Sequence, residues 1–176
     1  LAMGAHKAIH VKYYDAKQTD SFAYAKILQK VLEGREYDLI LAGRQSQDTD
    51  AGLTAPMLAE FLDLPQVTNI IRFSNVSNQN MTLYRKGDHA TEVLEMELPG
   101  VVTVHDTLNE PRLASMRGIM MAKKKPLEEI ELEAIGITSE MSGLEGSMTE
   151  VLHYDKPESR KEGKNFEGDE KDTVKQ

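Results

Sequence analysis

The fold class follows from seven consecutive residues, Tyr37-Asp38-Leu39-Ile40-Leu41-Ala42-Gly43. The apolar side chains in this run follow one another without polar alternation, which is typical of a parallel strand covered on both faces. We therefore expect the strand to lie in the centre of a sheet. A polar loop follows, and then a helix that ends near Leu62. Either this helix begins near Thr54, with Pro56 in its first turn, or it is kinked at Pro56.

The segments before this strand have the same strand and helix patterns. Apolar and polar residues alternate from Lys7 to Tyr13, which predicts a half-buried strand. Apolar residues then recur at helical spacing, with Thr19 or Asp20 as the capping residue and Gly34 at the end. The order strand–helix–strand–helix predicts an α/β fold, with an open parallel sheet and right-handed crossovers.

The second half of the chain predicts additions to this sheet. Four more strand candidates and a turn at Gly87-Asp88 indicate a β-hairpin; the candidates are Val67–Phe73, Met81–Lys86, Thr91–Leu98 and Val101–Val104. A short helix with a basic end is expected before Pro126, and a last strand after it. We expect one domain over 1–137 and a C-terminal arm with a charged tail over 138–176. The arm is expected to be extended, and the tail to be loose unless a partner holds it.

Composition excludes several functions. The 176 residues carry a net charge of −8, which argues against a duplex nucleic-acid binder. The chain has no cysteine, and therefore no disulfide, thiol catalysis or cysteine-bound metal. This absence fits a reducing compartment, and a bacterial cytoplasm is preferred to a mitochondrial matrix. The first residue is Leu1, and we expect the chain to be part of something longer.

The loop after the predicted central strand, from Gly43 to Thr54, is the best candidate for a binding site. Ligands in open α/β sheets bind beyond the carboxyl ends of strands, where the N–H groups of the next helix attract an anion. Its glycines allow close approach, and its serine and threonines supply hydroxyl groups. Asp48 and Asp50 would repel a phosphate unless they point away from it. A simpler interpretation therefore stays open, in which an Asp or Thr of the loop caps the helix.

Other arrangements of reactive residues carry less information. No P-loop or G-x-G-x-x-G sequence is present, and no G-x-S-x-G nucleophile motif. His6 and His10 have no third ligand near them in sequence, so we predict no metal site and no catalytic residue. The basic run Lys123–Lys125 either complements the end of a helix or contacts a partner.

Four motifs, which occur in a fixed order along the chain, identify a protein family more specifically than single residue types do. They are Ala2-Met3-Gly4-Ala5-His6-Lys7-Ala8-Ile9-His10-Val11, Tyr37-Asp38-Leu39-Ile40-Leu41-Ala42-Gly43-Arg44-Gln45-Ser46, Asn109-Glu110-Pro111-Arg112 and Gly118-Ile119-Met120-Met121-Ala122-Lys123-Lys124-Lys125-Pro126. Over roughly 1–137 the chain resembles the beta subunit of electron transfer flavoprotein. Beyond that range the similarity is loose.

The resemblance implies a fold and cofactors. The fold would be a Rossmann-like α/β domain of the adenine-nucleotide-binding type, which holds AMP, or a second FAD in electron-bifurcating members. The redox FAD would lie mainly on an alpha subunit. Electrons would pass from acyl-CoA dehydrogenase-type flavoenzymes towards a quinone reductase at the membrane, without catalytic residues or membrane insertion of this chain.

The resemblance also implies two sets of site residues. The cofactor-binding set surrounds the phosphate: Gly43, Gln45, Ser46, Gln47, Asp48, Thr49, Asp50, Gly52, Leu53 and Thr54. Leu53 replaces the glutamine or valine expected there, but keeps its backbone N–H. The partner-docking set is Arg112, Met116, Ile119 and Lys123, where Met116 stands for the leucine that anchors the dehydrogenase. Met116 could instead pack on the chain's own sheet.

The chain departs from the family's pattern, and two other classes of protein share some of its features. The family's N-terminal strand, its first helix and the loops that touch adenine and flavin have no counterpart here. A stand-alone adenine-nucleotide sensor of the stress-protein type would share the sheet and the loop, but would not account for 109–126. An adenylating enzyme of the α/β group would need a pyrophosphate loop that this sequence lacks.

Overall fold

The computed structural model describes residues 1–14, 16–156 and 163. Its strands are β1 (Ala8–Lys12), β2 (Leu39–Gly43), β3 (Gln66–Ser74), β4 (Asn80–Lys86), β5 (Thr91–Glu97), β6 (Gly100–Val104) and β7 (Leu127–Glu131). Its α-helices are α1 (Ser21–Leu32), α2 (Thr54–Phe61), α3 (Met116–Ala122) and α4 (Gly143–Gly146), and two 3-10 turns span Leu132–Ile135 and Ser139–Met141.

Five strands form an open sheet in the order β2-β6-β3-β4-β5. The strands β2, β6 and β3 are parallel, and β3, β4 and β5 are antiparallel. The predicted hairpin is confirmed, because β4 and β5 are joined through Gly87-Asp88. The α/β class is therefore confirmed, with the parallel part of the sheet beside a hairpin addition.

The position predicted for Leu39–Gly43 is wrong. This strand, β2, lies at the edge of the five-stranded sheet, and Leu41 is 59% exposed. The central parallel strand is β6, where Val101 and Val102 are almost completely buried. The exposed Leu41 shows that the apolar run did not ensure cover on both faces, and such a run carries no information about hydrogen-bonded neighbours at the edges of a strand.

The first and last strands form a sheet of their own. β1 and β7 pair in parallel, from Ala8 opposite Leu127 to Lys12 opposite Glu131. The sequence predicted a single open sheet, whereas the described residues form two. The pairing joins strands more than a hundred positions apart, which hydropathy periodicity cannot predict.

Helices α1 and α2 pack on each other, and α2 covers part of the larger sheet. Phe22 and Phe61 contact edge to face with their ring centroids 5.4 Å apart. Ala55 and Ala59 of α2 pack against Val101 of β6. Helix α1 begins after Asp20, whose carboxylate accepts a hydrogen bond from the N–H of Ala23. The predicted cap is confirmed.

The segment after the last strand is less extended than its sequence predicts. It contains the second 3-10 turn and α4, and Met141 packs against the cluster formed by Ile27, Leu132 and Ile137. Met148 remains 73% exposed. The charged tail predicted over 153–176 lies mostly outside the described residues.

Candidate functional site

A groove of about 500 Å³ lies at the carboxyl end of β2. The loop Gly43–Thr54 lines it, and α1 contributes the apolar residues Leu28, Val31 and Leu32. The start of α2 also lines the groove, through Ala55 and Leu58. The groove therefore combines an apolar side with the amino end of a helix.

The sequence around Thr54 leaves the first turn of α2 without a cap. Leu53 stands at the capping position and has no side-chain oxygen, so no side-chain hydrogen bond closes the helix. Pro56 lies in the first turn and has no N–H, which confirms the first of the two predicted alternatives. No acidic residue lies in this turn. The N–H groups of Thr54 and Ala55 therefore present positive partial charge at the groove.

Gly52 allows the loop to approach this helix end. Its φ of 63° lies in the left-handed region, and an added Cβ would lie 3.4 Å from the carbonyl oxygen of Arg44. A side chain at this position would combine backbone strain with a tight contact. The glycine is thus required by the turn itself.

Hydrogen bonds within the loop engage its two carboxylates. The hydroxyl groups of Ser46 and Thr49 lie 2.8 Å apart, and the N–H of Thr49 donates to Asp48 Oδ1 at 2.9 Å. The Ser46 hydroxyl and the N–H groups of Thr49 and Asp48 lower the pKa of Asp48. Asp50 accepts a hydrogen bond from the side-chain amide of Gln45.

The structure brings most of the predicted cofactor-binding residues to one groove. Those that line it are Gly43, Gln45, Ser46, Thr49, Gly52, Leu53 and Thr54, whereas Gln47, Asp48 and Asp50 do not. The α1 wall was not predicted as part of the site. The apolar stripe of α1 could have indicated this wall, because one of its residues, Leu28, is left partly exposed by the fold.

A family model for the electron transfer flavoprotein domain matches residues 1–135 of the chain. This chain belongs to the electron transfer flavoprotein family. The resemblance found from the four motifs is confirmed, and the match includes the groove and α3.

Several similar proteins are beta subunits of electron transfer flavoproteins. The one from Bacillus subtilis is 37% identical over 141 residues, which cover 80% of this chain and 54% of the relative. The one from Thermoanaerobacterium thermosaccharolyticum is 33% identical over 175 residues, covering 99% of this chain and 67% of the relative. The human one is 38% identical over 146 residues, covering 81% and 57%. The chain thus spans between about half and two thirds of the length of these relatives.

The second predicted site, around α3, is a surface and not a cavity. α3 has no buried residue, and Met116 is 78% exposed. Met116 therefore does not pack on the chain's own sheet. Ile119 is also exposed, and so are Arg112 and Lys123. The most exposed apolar residue of this region is Leu113, which the sequence analysis did not select.

The described residues contain neither a candidate metal cluster nor a helix suited to span a membrane. Within 1–14, 16–156 and 163, no group of three or more His, Asp or Glu side chains could hold a metal ion. Among the helices of the described part of the chain, none has the length and apolar character to cross a bilayer.

Proposed function

We propose that the chain acts as the beta subunit of an electron transfer flavoprotein and holds an adenine nucleotide in the groove beside β2. The nucleotide is AMP, or a second FAD. Its phosphate lies at the start of α2, against the N–H groups of Thr54 and Ala55 and the hydroxyl groups of Ser46, Thr49 and Thr54. The chain would be an electron-carrier subunit and would not catalyse a reaction itself.

The uncapped start of α2 carries this proposal. A helix amino end normally has a capping side chain or another partner for its free N–H groups. Here the capping position is Leu53, and no acid offsets the positive end of the helix. An anion in the groove would satisfy those N–H groups. Asp48 and Asp50 do not line the groove, so their carboxylates repel a bound phosphate less than their place in the loop sequence suggests.

The shape of the groove supports a nucleotide over a simple anion. About 500 Å³ is more than a phosphate needs, and α1 supplies an apolar wall that suits an aromatic base. Leu28, Val31 and Leu32 line the same groove as the hydroxyl-bearing loop. The two walls therefore match the two chemical ends of the ligand.

We further propose an alpha subunit as the partner, with the redox FAD mainly on that subunit. FAD supplies the electron-transfer chemistry, and this chain contributes a rigid nucleotide-bound support. Electrons would arrive from an acyl-CoA dehydrogenase-type flavoenzyme and leave to a quinone reductase. A bacterial cytoplasm is the proposed location.

The dehydrogenase would dock on α3. Met116 and Ile119 offer exposed apolar side chains, and the flanking charges are basic at Arg112, Arg117 and Lys123. An apolar anchor surrounded by charge is the arrangement of an interface hot spot. The chain as a whole is acidic, so this basic surface favours a partner with an acidic rim around an apolar pocket.

The direct test is co-expression of the chain with the alpha subunit from the same genome. We expect a complex that is yellow from flavin and releases AMP or extra FAD on denaturation, identified by chromatography and mass spectrometry. A complex without any nucleotide beyond the alpha-subunit FAD would contradict nucleotide binding. A chain that binds nucleotide but never associates with an alpha subunit would favour the stand-alone sensor.

A further inference from the structure

Methionine supplies all the sulfur of this chain, which has nine methionines and no cysteine. Two of the methionines, Met81 and Met96, belong to the core of the larger sheet and are almost completely buried. Three others, Met116, Met120 and Met121, lie within the seven residues of α3, and all three are exposed. Exposed thioether groups are therefore concentrated on one short helix.

Two of these methionines belong to the surface that we propose for docking. Met116 and Met120 are four positions apart in α3, so their side chains lie on the same side of the helix. Met116 is 78% exposed and Met120 is 69% exposed. Ile119 follows Met116 by three positions and is therefore a neighbour of it on the helix surface. Any chemical change at the two sulfur atoms would alter the apolar part of this surface.

Backbone and capping contacts hold α3 in place, and its methionine side chains are not buried. The Ser115 hydroxyl oxygen accepts a hydrogen bond from the N–H of Gly118 at 3.0 Å, which caps the helix. Beyond the helix, Lys125 Nζ donates to the carbonyl oxygens of Leu1, at 2.9 Å, and Ala5, at 2.7 Å. These contacts connect the end of this segment to the start of the chain. A polar group added to an exposed methionine should therefore leave the fold intact.

Hydrogen peroxide converts a methionine thioether into a sulfoxide. The sulfur gives up two electrons and gains one oxygen atom, the peroxide O–O bond breaks, and the other oxygen leaves as water. An exposed sulfur meets the oxidant directly, whereas a buried one reacts only when the fold opens. The sulfoxide is polar, and its transfer into an apolar pocket costs free energy unless a donor pairs with its oxygen.

We infer that Met116 and Met120 are sites of reversible oxidation, at which hydrogen peroxide closes the docking surface on α3. The inference rests on the proposed docking of a dehydrogenase at this helix and adds its regulation. Two polar sulfoxides replace the apolar side chains that would enter the partner's pocket. A methionine sulfoxide reductase would reopen the surface, since it returns the oxygen to water while two thiols form a disulfide.

The first experiment identifies the methionines that react, and it needs no partner. The 176-residue chain is exposed briefly to hydrogen peroxide, quenched with catalase and digested with trypsin for mass spectrometry. Residues 113–117 carry Met116 alone, and residues 118–123 carry Met120 with Met121, which fragmentation distinguishes. We expect oxidation of Met116 and Met120 before any at Met81 or Met96. Equal rates at the exposed and the buried positions would overturn the inference.

The second experiment measures docking in the complex of this chain with the alpha subunit. The complex is treated with peroxide and then catalase before an acyl-CoA dehydrogenase from the same genome is added, and each variant is compared with its own untreated sample. Electron transfer to the parent complex should slow about tenfold, which corresponds to about 1.4 kcal/mol. Methionine sulfoxide reductases A and B with dithiothreitol should restore the rate. A chain with both Met116→Leu and Met120→Leu should keep its untreated rate.

Met148→Leu is the matched control, because it removes a similarly exposed methionine outside α3 and should leave the peroxide effect as large as in the parent. Equal slowing in the parent and the double variant would overturn the inference, as would an unchanged rate in the treated parent. Failure of the proposed docking gives a different result. Untreated Met116→Ala would then transfer electrons as fast as the untreated parent, and the inference would fall with the docking site.

Discussion

Asp20 binds Thr149 through two hydrogen bonds to the same carboxylate oxygen. The backbone N–H and the hydroxyl group of Thr149 both donate to Asp20 Oδ2, each at 3.0 Å, and the N–H of Met148 donates to it at 2.8 Å. The other oxygen of Asp20 caps α1 through Ala23. One carboxylate thus joins the start of a helix to a segment almost at the end of the described chain.

Removal of this carboxylate should release the segment around α4. We expect Asp20→Ala to lower the free energy of unfolding by at least about 1 kcal/mol, the usual contribution of a helix N-cap. Amide hydrogen exchange at Met148 and Thr149 should accelerate in the same variant. Asp38→Ala, at an exposed position, is the control and should change neither quantity. Unchanged exchange at 148–149 in Asp20→Ala would contradict the contact.

Acid should weaken the same contact. Partial burial opposes ionisation of Asp20, but the N–H groups of Ala23, Met148 and Thr149 and the Thr149 hydroxyl outweigh it and lower its pKa. A lowered pKa means that the folded state binds this proton less readily than the unfolded state, so the contribution is complete above the ordinary value of about 3.9. It is lost as the pH falls through the lower folded value.

Chemical denaturation between neutral pH and pH 3 would measure this effect. The stability difference between the parent and Asp20→Asn should be largest at neutral pH and should decrease below about pH 4. A difference that stays constant down to pH 3 would show that the Asp20 charge contributes nothing to the contact.

Nucleotide retention should depend on the Thr54 hydroxyl. Thr54 begins α2 and lines the groove, so Thr54→Val removes a donor to the phosphate while keeping the side-chain shape. A hydrogen bond to a charged group contributes about 1.5–3 kcal/mol, and its loss should weaken AMP or FAD binding tenfold or more. The released nucleotide would be quantified after gel filtration of the complex. Thr91→Val, on an exposed position of β5, serves as control; equal nucleotide content in both variants would contradict the role of Thr54.

Docking should depend on Met116 without affecting stability. Because this side chain is mostly exposed, Met116→Ala should leave the melting temperature unchanged. As an interface anchor it would contribute about 2 kcal/mol or more, so electron transfer from the dehydrogenase should slow about tenfold or more. Val93→Ala, at an exposed apolar position on β5, should change neither rate nor stability. A lowered melting temperature with an unchanged transfer rate would refute the docking role.

Local sequence predicted most elements of this chain. The cap at Asp20, the start of α2 near Thr54 and the hairpin around Gly87 depend on residues close in sequence, and each is confirmed. The loop Gly43–Thr54 could also be selected, because a glycine-containing turn between a strand and a helix is a local pattern. Four motifs in sequence order then indicated the protein family, which the family model confirms.

The tertiary structure decided which strands are neighbours and which side chains share a cavity. The edge position of β2 and the separate pairing of β1 with β7 depend on hydrogen bonds between residues far apart in sequence. The meeting of α1 residues Leu28 and Val31 with the loop Gly43–Thr54 in one groove depends on packing between separate parts of the chain. Hydrophobic periodicity specifies which face of an element is buried, since burial is set by the side chains themselves. Strand order and cavity walls are set by long-range packing, so they were fixed only when the chain folded.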